Sequence, residues 1–221
     1  MKYLRKLSLV CLGLAAAYGG SAQASDNPAM DAAVAHIDSE WARIKYQVQD
    51  KDQQYRQMDA LAHQAAAVVA RYPGRAEPLL WQGIVTSEEA GMAWMFQKLG
   101  FATDARDILQ KAERIDPRVF SGGVPMSLGV LYYRVPGFPI GFGSNARAQT
   151  YLKAALAQDP NGLDANYFYG DYLYTKGDYA GAKAYFERAL RAPANPQRPV
   201  WYAGRRADVR AELAKAQARL G

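Results

Sequence analysis

One spacing pattern recurs along this chain of 221 residues and constrains its fold more than any other feature. A small residue is followed four positions later by a bulky residue, then three positions later by a second small residue, and within five more positions by proline. The pattern runs over Ala105–Pro117, Ala148–Pro160 and Ala182–Pro193, and a degenerate copy runs over Leu61–Pro73. Residues three and four apart share one helix face, and proline cannot continue a helix. The pattern therefore predicts several copies of one type of helix.

Glycines upstream of these helices predict their partners. Gly170 lies within a run of large residues before the last copy, and Gly129 lies in a Leu-Gly-x2-Tyr element before the preceding copy. Glycine allows two helices to cross closely, because it has no side chain at the crossing. For the copy that begins at Ala105, the crossing glycine is either Gly83 or Gly91, and the sequence leaves both alternatives open.

The two ends of the chain also have helical periodicity. Apolar residues three and four apart predict an amphipathic helix over about 28–48 and a capping helix over about 200–219. No segment alternates between apolar and polar residues as a half-buried strand does. We expect an all-α fold of about nine helices, which form four hairpins and a cap.

Taken together, the paired helices over about 100–196 resemble the tetratricopeptide repeat (TPR) family. The resemblance implies a short right-handed α-solenoid of TPR-like helical hairpins with a C-terminal capping helix. It also implies that the first helix of each hairpin lines a concave groove. The expected organisation is a repeat domain over 25–199, with residues 200–221 as the capping helix of the same domain.

The first 24 residues have the features of a secretory signal peptide. Three cations within the first six residues precede the mostly apolar stretch Leu7–Tyr18, and Ala22–Ala24 is a small-x-small cleavage site. The apolar stretch is shorter than the roughly 20 residues that span a membrane. Val10 precedes Cys11, where lipid-modified signals carry a small residue. We expect cleavage before Ser25, a thiol-free periplasmic protein and no stable membrane anchor.

Charge places fewer constraints on function. The formal net charge of +6 includes the three cations of the signal, and most of the remaining excess lies in the segment from Arg198 onward. A basic final helix can bind an acidic partner or a lipid surface, or it can be a solvated cap. Because the chain is expected to be exported, we predict no nucleic-acid partner.

Residues that could support catalysis are sparse. The glycine-rich insert 135–143 has Gly143 where a phosphate-binding loop requires lysine, and no strand precedes it. His36 and His63 are the only histidines, and no serine has a recognisable histidine partner. Pro125 occupies the position of the leading glycine of a nucleophile elbow. We predict no enzyme activity, no cofactor and no metal site.

The candidate binding residues follow from the helix geometry. On the helix that contains Gly170, one row of side chains is turned away from the crossing. The corresponding side chains of the helix that contains Gly129 extend this row. Tyrosine on such a face is typical of interfaces. The alternative is that these tyrosines fill space between repeats. Aromatic residues of the insert form a second candidate surface. The predicted partner-binding residues are Met126, Val130, Tyr133, Asp164, Tyr167, Asp171 and Tyr174, with Phe138 and Phe142 in the insert.

A second resemblance concerns the whole chain. The signal segment, the elongated early hairpins, residues 123–133 and the insert 135–143 are similar to exported T-component-type proteins of TRAP transporter systems. That similarity implies a helper that binds a solute-binding protein or a small hydrophobic ligand. We predict a periplasmic adaptor that holds a protein or peptide in its concave groove; the alternative is a carrier of a small hydrophobic ligand. An open groove favours the adaptor, and a closed apolar cavity favours the carrier.

Overall fold

The computed structural model describes residues 26–221, so the predicted signal peptide 1–24 lies outside the described part of the chain. Nine helices form in these residues, and no strand does, which confirms the predicted all-α solenoid. No helix among them is long and apolar enough to span a bilayer. The helices are α1 (Pro28–Gln47), α2 (Lys51–Arg71), α3 (Ala76–Met92), α4 (Met95–Ile115), α5 (Gly123–Arg134), α6 (Asn145–Gln158), α7 (Leu163–Thr175), α8 (Tyr179–Leu190) and α9 (Pro199–Ala218).

Short polar side chains mark where four of these helices begin. The side chains of Asn27, Asp50, Ser144 and Asp178 each accept a hydrogen bond from a backbone amide in the first turn of the following helix. Such caps satisfy amides that have no partner within the helix. Local sequence therefore fixes the starts of α1, α2, α6 and α8.

The same close contact recurs in three of the four hairpins. A glycine of the first helix faces the bulky residue of the second-helix pattern, which is buried between the helices. In each hairpin, a Cβ atom added to the glycine would lie too close to a side-chain carbon of the bulky residue, at 2.6, 2.7 and 2.9 Å in chain order. The three pairs are Gly83–Leu109, Gly129–Leu152 and Gly170–Phe186.

The structure also resolves the alternative that the sequence left open. Gly83 is the crossing glycine of the α3–α4 hairpin, since it is the residue that faces Leu109. A Cβ atom at Gly91 would have no atom within 4 Å. Gly91 therefore has no packing role of this kind.

The five odd-numbered helices form a closed inner ring. α1 contacts α3, α3 contacts α5, α5 contacts α7, α7 contacts α9, and α9 returns to contact α1. Because consecutive helices alternate in direction, these five run parallel. The ring is therefore built from the first helix of each hairpin, and α9 occupies the corresponding position after the fourth hairpin.

Two hydrophobic clusters hold the ring together. One joins the two ends of the chain and contains Ile37 of α1, Phe186 of α8 and Val209 of α9. The other lies in the middle repeats, around Leu109 and Leu128. Buried apolar area is the main stabilising contribution to a fold of this kind. The first cluster makes closure of the ring part of the hydrophobic core.

Candidate functional site: the cavity inside the helix ring

The inner helices surround a cavity of about 1360 Å³. Its wall comes from all five helices of the ring, with additions from the start of α4 and from the insert between α5 and α6. Pockets that hold small ligands are typically roughly 300–1,000 Å³. The concave groove that the repeat pattern predicted is therefore a large chamber, because α9 closes it against α1.

Aromatic and aliphatic side chains cover much of the wall. Trp41 and Trp81 meet edge to face, with their ring centroids 5.7 Å apart. Aromatic rings of this kind provide a large contact area with few rotatable bonds, which lowers the entropy cost of binding. The main apolar and aromatic lining residues are Val34, Trp41, Leu80, Trp81, Ile84, Met126, Val130, Leu131, Ile140, Phe168 and Trp201.

An ion pair crosses the seam between the two ends of the chain. The Nη2 atom of Arg198, the residue before α9, donates a hydrogen bond of 2.6 Å to Oδ1 of Asp38 on α1. The guanidinium group also lies 4.1 Å from the ring centroid of Trp201 and 5.7 Å from that of Trp81. Burial raises the pKa of Asp38, and this effect exceeds the opposing effect of Arg198. A guanidinium group is thus held by a carboxylate and aromatic rings inside the cavity.

A second ion pair is more deeply buried. Arg205 of α9 is 4% exposed, and its Nε donates to Oδ1 of Asp164 on α7 at 2.6 Å. Its Nη1 donates to Oδ2 of Asp208 at 3.2 Å. The guanidinium carbon lies 4.7 Å from the ring centroid of Tyr167 and 4.8 Å from that of Phe168. Arg205 therefore joins α9 to α7 through both charge and stacking.

Two further hydrogen bonds extend this network. Trp201 Nε1 donates to Oδ2 of Asp164 at 3.2 Å, and the Tyr46 hydroxyl of α1 donates to Oδ2 of Asp208 at 3.1 Å. Burial raises the pKa of Tyr46 well above its ordinary value. Tyr46 is therefore a neutral donor across the α1–α9 seam.

Four of the predicted binding residues line the cavity: Met126, Val130, Asp164 and Tyr167. Met126 and Val130 are partly buried on the inner face of α5. Tyr167 is 7% exposed, and its ring packs against Arg205 as described above. The cavity wall thus contains predicted residues, but Asp164 and Tyr167 already have partners within the chain.

Three other predicted residues, Tyr133, Asp171 and Tyr174, do not line the cavity. The Tyr133 hydroxyl donates to Asp171, and Nη2 of Arg134 donates to the same carboxylate at 2.5 Å. Burial, followed by the charge of Asp171, raises the pKa of Tyr133. Tyr174 packs edge to face against Tyr179, with centroids 5.2 Å apart. Asp171 holds Arg134, and it is Arg134 that lines the cavity.

The insert presents its aromatic residues in two directions. Phe142 packs edge to face on Tyr132, with ring centroids 5.7 Å apart. The Arg106 guanidinium group lies 4.5 Å from the centroid of the Phe142 ring. Phe138 is 94% exposed. The residues of the insert that line the cavity are Val135, Pro136 and Ile140. Neither predicted phenylalanine is a lining residue, and Phe142 packs on its neighbours.

Sequence reasoning missed the tryptophans and the arginines of the cavity. It left the basic final helix as either a binding surface for an acidic partner or lipid, or a solvated cap. In the structure, Trp201, Arg205 and Asp208 share one face of α9 and line the cavity. Their spacing of four and three was a detectable signal. In residues 26–221, no three His, Cys, Asp or Glu side chains lie close enough together to hold a metal ion.

Comparisons with known proteins identify the type of fold. Residues 140–199 match the family model described as tetratricopeptide repeat, whereas no curated protein matches the sequence. A solved thermophilic TPR protein of Thermus thermophilus is similar in structure, with a TM-score of 0.57 and 19% sequence identity, over 86% of this chain and 91% of that one. These findings confirm the predicted TPR fold. The chain thus has the fold of a helical-repeat protein.

Other solved structures are similar over much of their length. MamA is 20% identical over 77% of this chain and 92% of that chain, with a TM-score of 0.43. PilF of Pseudomonas aeruginosa is 16% identical over 86% of this chain and 91% of that chain, with a TM-score of 0.34. The similarity to TRAP T-component proteins stays a prediction.

Proposed function

We propose that this protein is an exported, periplasmic adaptor that takes an extended segment of a partner protein into the cavity inside its helix ring. The observation that carries the proposal is the cavity itself, since it is formed by the face that TPR modules present as their concave surface. Its apolar wall and its fixed polar groups suit a polypeptide segment, which has both kinds of group.

Closure of the ring determines the form of the partner. The contacts of α9 with α1 close the ring at its side, so a partner has to enter the cavity along the axis of the ring. An extended segment is narrow, and its side chains can contact opposite walls together. We therefore favour a linear segment, such as a terminus or a loop.

A second candidate is supported by the same closure. A largely apolar cavity surrounded by helices is also the form that a carrier of a small hydrophobic ligand requires, and such sites bury most of their ligand. The cavity is larger than a typical small-ligand site, and it contains several ion pairs, which favours the polypeptide. The carrier is the alternative outcome of the experiment below.

Photo-crosslinking from inside the cavity tests the proposal. We expect p-benzoylphenylalanine at Val130, on the cavity wall, to give a covalent adduct with a protein when the producing cells are irradiated. The same amino acid at Lys153, exposed on α6, is the matched control and should give no such adduct. Mass spectrometry identifies the adducts. Uncrosslinked protein from the periplasm should have the intact mass of a chain that begins at Ser25.

Three results would contradict parts of the proposal. Identical adducts from Val130 and Lys153 would show that the cavity does not select the partner. An adduct at Val130 with the mass of a small organic molecule would favour the carrier. A retained N-terminal segment in the intact mass would contradict export by a cleaved signal.

A further inference from the structure

The charges that line the cavity differ from those of the protein as a whole. Residues 26–221 have a formal net charge of +3, since the +6 of the full chain includes Lys2, Arg5 and Lys6. The cavity lining nevertheless contains six carboxylates and five cations. The carboxylates are those of Asp31, Asp38, Glu88, Asp159, Asp164 and Asp208, and the cations are Lys45, Lys98, Arg134, Arg198 and Arg205.

Most of these charges neutralise one another within the chain. Arg198 and Arg205 hold Asp38, Asp164 and Asp208 as described above, and Lys45 Nζ lies 2.5 Å from Oε1 of Glu88. Arg134 pairs with Asp171. Within the part of the chain that the structure describes, three lining charges have no ion pair: Asp31, Asp159 and Lys98.

The unpaired charges lie at opposite ends of the ring. Asp31 is in the first turn of α1, and Asp159 precedes the start of α7 by four residues. Lys98 lies in the first turn of α4, which begins where the inner helix α3 ends. Because the inner helices run parallel, both carboxylates are at the end where these helices begin. Lys98 is at the other end.

The acidic end provides two reasons to expect a cation there. Burial and then the nearby charge of Asp164 raise the pKa of Asp159, and these effects exceed the opposing hydrogen bond from the backbone of Gly162. A cation beside Asp159 would stabilise its ionised form. Arg198 also shows that the wall accommodates a guanidinium group, which lies against Asp38, Trp81 and Trp201. Carboxylates beside aromatic rings are well suited to lysine and arginine side chains.

From this arrangement we infer that the occupant of the cavity is a peptide segment that places a lysine or arginine side chain at the end of the cavity where Asp31 and Asp159 lie, with apolar side chains along Ile84, Met126 and Val130. The inference rests on the proposed function and specifies the chemistry of its partner. The segment lies along the axis of the ring, with its basic end where the inner helices begin.

Selection of random peptides displayed on phage tests this inference. The purified protein should enrich peptides in which lysine or arginine is followed by apolar residues. The variant with Asp31→Asn and Asp159→Asn should lose the preference for basic residues but still enrich apolar ones. The control variant with Asp52→Asn and Asp104→Asn, both exposed and outside the cavity lining, should select as the unmodified protein does.

Binding of one selected peptide gives the quantitative result. Loss of the two carboxylates should weaken the affinity for this peptide about tenfold or more, because charge-assisted hydrogen bonds are lost. Added salt should reduce the difference in affinity between the unmodified protein and this variant. Enrichment of apolar peptides without any basic preference, or equal affinity for both double variants, would overturn the inference but leave the proposed function intact. Failure to enrich any peptide, together with saturable binding of a fluorescent fatty acid, would overturn both.

Discussion

Replacement of Arg205 by alanine is expected to lower the free energy of unfolding by about 3 kcal/mol, because it leaves the Asp164 carboxylate without its cation inside the structure. The substitution also removes the packing of the guanidinium group on Tyr167 and Phe168. Trp201 still donates a hydrogen bond to Asp164, and Tyr46 still donates one to Asp208, but neither neutral donor replaces the positive charge of Arg205. Urea unfolding followed by circular dichroism measures the change.

Arg210→Ala is the matched control for Arg205→Ala. Arg210 lies on the same helix but is exposed, and surface substitutions usually change stability by less than about 0.5 kcal/mol. A large difference between the two variants indicates that the buried network, not the charge of α9 in general, holds the ring closed. Equal and small effects would show that Arg205 is solvated and that α9 does not join α7 in this way.

The second large effect is expected at the crossing of α7 and α8. Gly170→Leu should lower the free energy of unfolding by about 2 kcal/mol or more, because even its Cβ would lie 2.9 Å from the Phe186 ring and 3.2 Å from the Ala182 carbonyl oxygen. An aromatic ring buried between helices has little freedom to move aside. Thermal unfolding, monitored by circular dichroism, gives the change for the variant.

The same substitution at Gly100 should have the opposite sign. Gly100 is exposed within α4, with no atom within 4 Å of an added Cβ, so leucine should stabilise the helix by up to about 1 kcal/mol. Similar effects at Gly170 and Gly100 would show that the repeat register is wrong.

The repeats could be predicted from sequence because their contacts are local. The spacing around Phe186 and the glycine at 170 belong to helices that are adjacent in the chain, so periodicity and glycine alone specify how they pack. The ambiguity between Gly83 and Gly91 arose because both lie on α3. Only the position of Leu109 in space distinguishes them.

Closure of the ring could not be predicted, because it depends on the curvature that accumulates over four repeats. The contacts of Arg198 with Asp38 and of Asp208 with Tyr46 join residues about 160 positions apart. No spacing rule relates such residues. For the same reason, Asp164 was predicted as a free binding group, whereas α9 provides Arg205 as its partner.

Formation of an engineered disulfide across the α1–α9 seam tests the central claim that the ring is closed. An ideal Cβ at Gly204 lies 2.3 Å from Cγ of Tyr46, and Tyr46 Cβ is one bond from that atom, so the two Cβ atoms are at most about 3.8 Å apart, the mean Cβ separation in disulfides. Cysteines at the two positions are therefore within reach of each other. The experiment uses Tyr46→Cys with Gly204→Cys, and Cys11→Ser to avoid other pairings. The control pairs Tyr46→Cys with Arg210→Cys, which is exposed.

Mass spectrometry after mild oxidation and alkylation of free thiols gives the answer. A closed ring predicts that the 46–204 pair forms a disulfide within the monomer and resists alkylation, whereas the thiols of the 46–210 pair stay free. Free and fully alkylated thiols at 46 and 204 would show that α9 does not lie against α1. They would contradict the closed ring, and with it the cavity on which the proposed function depends.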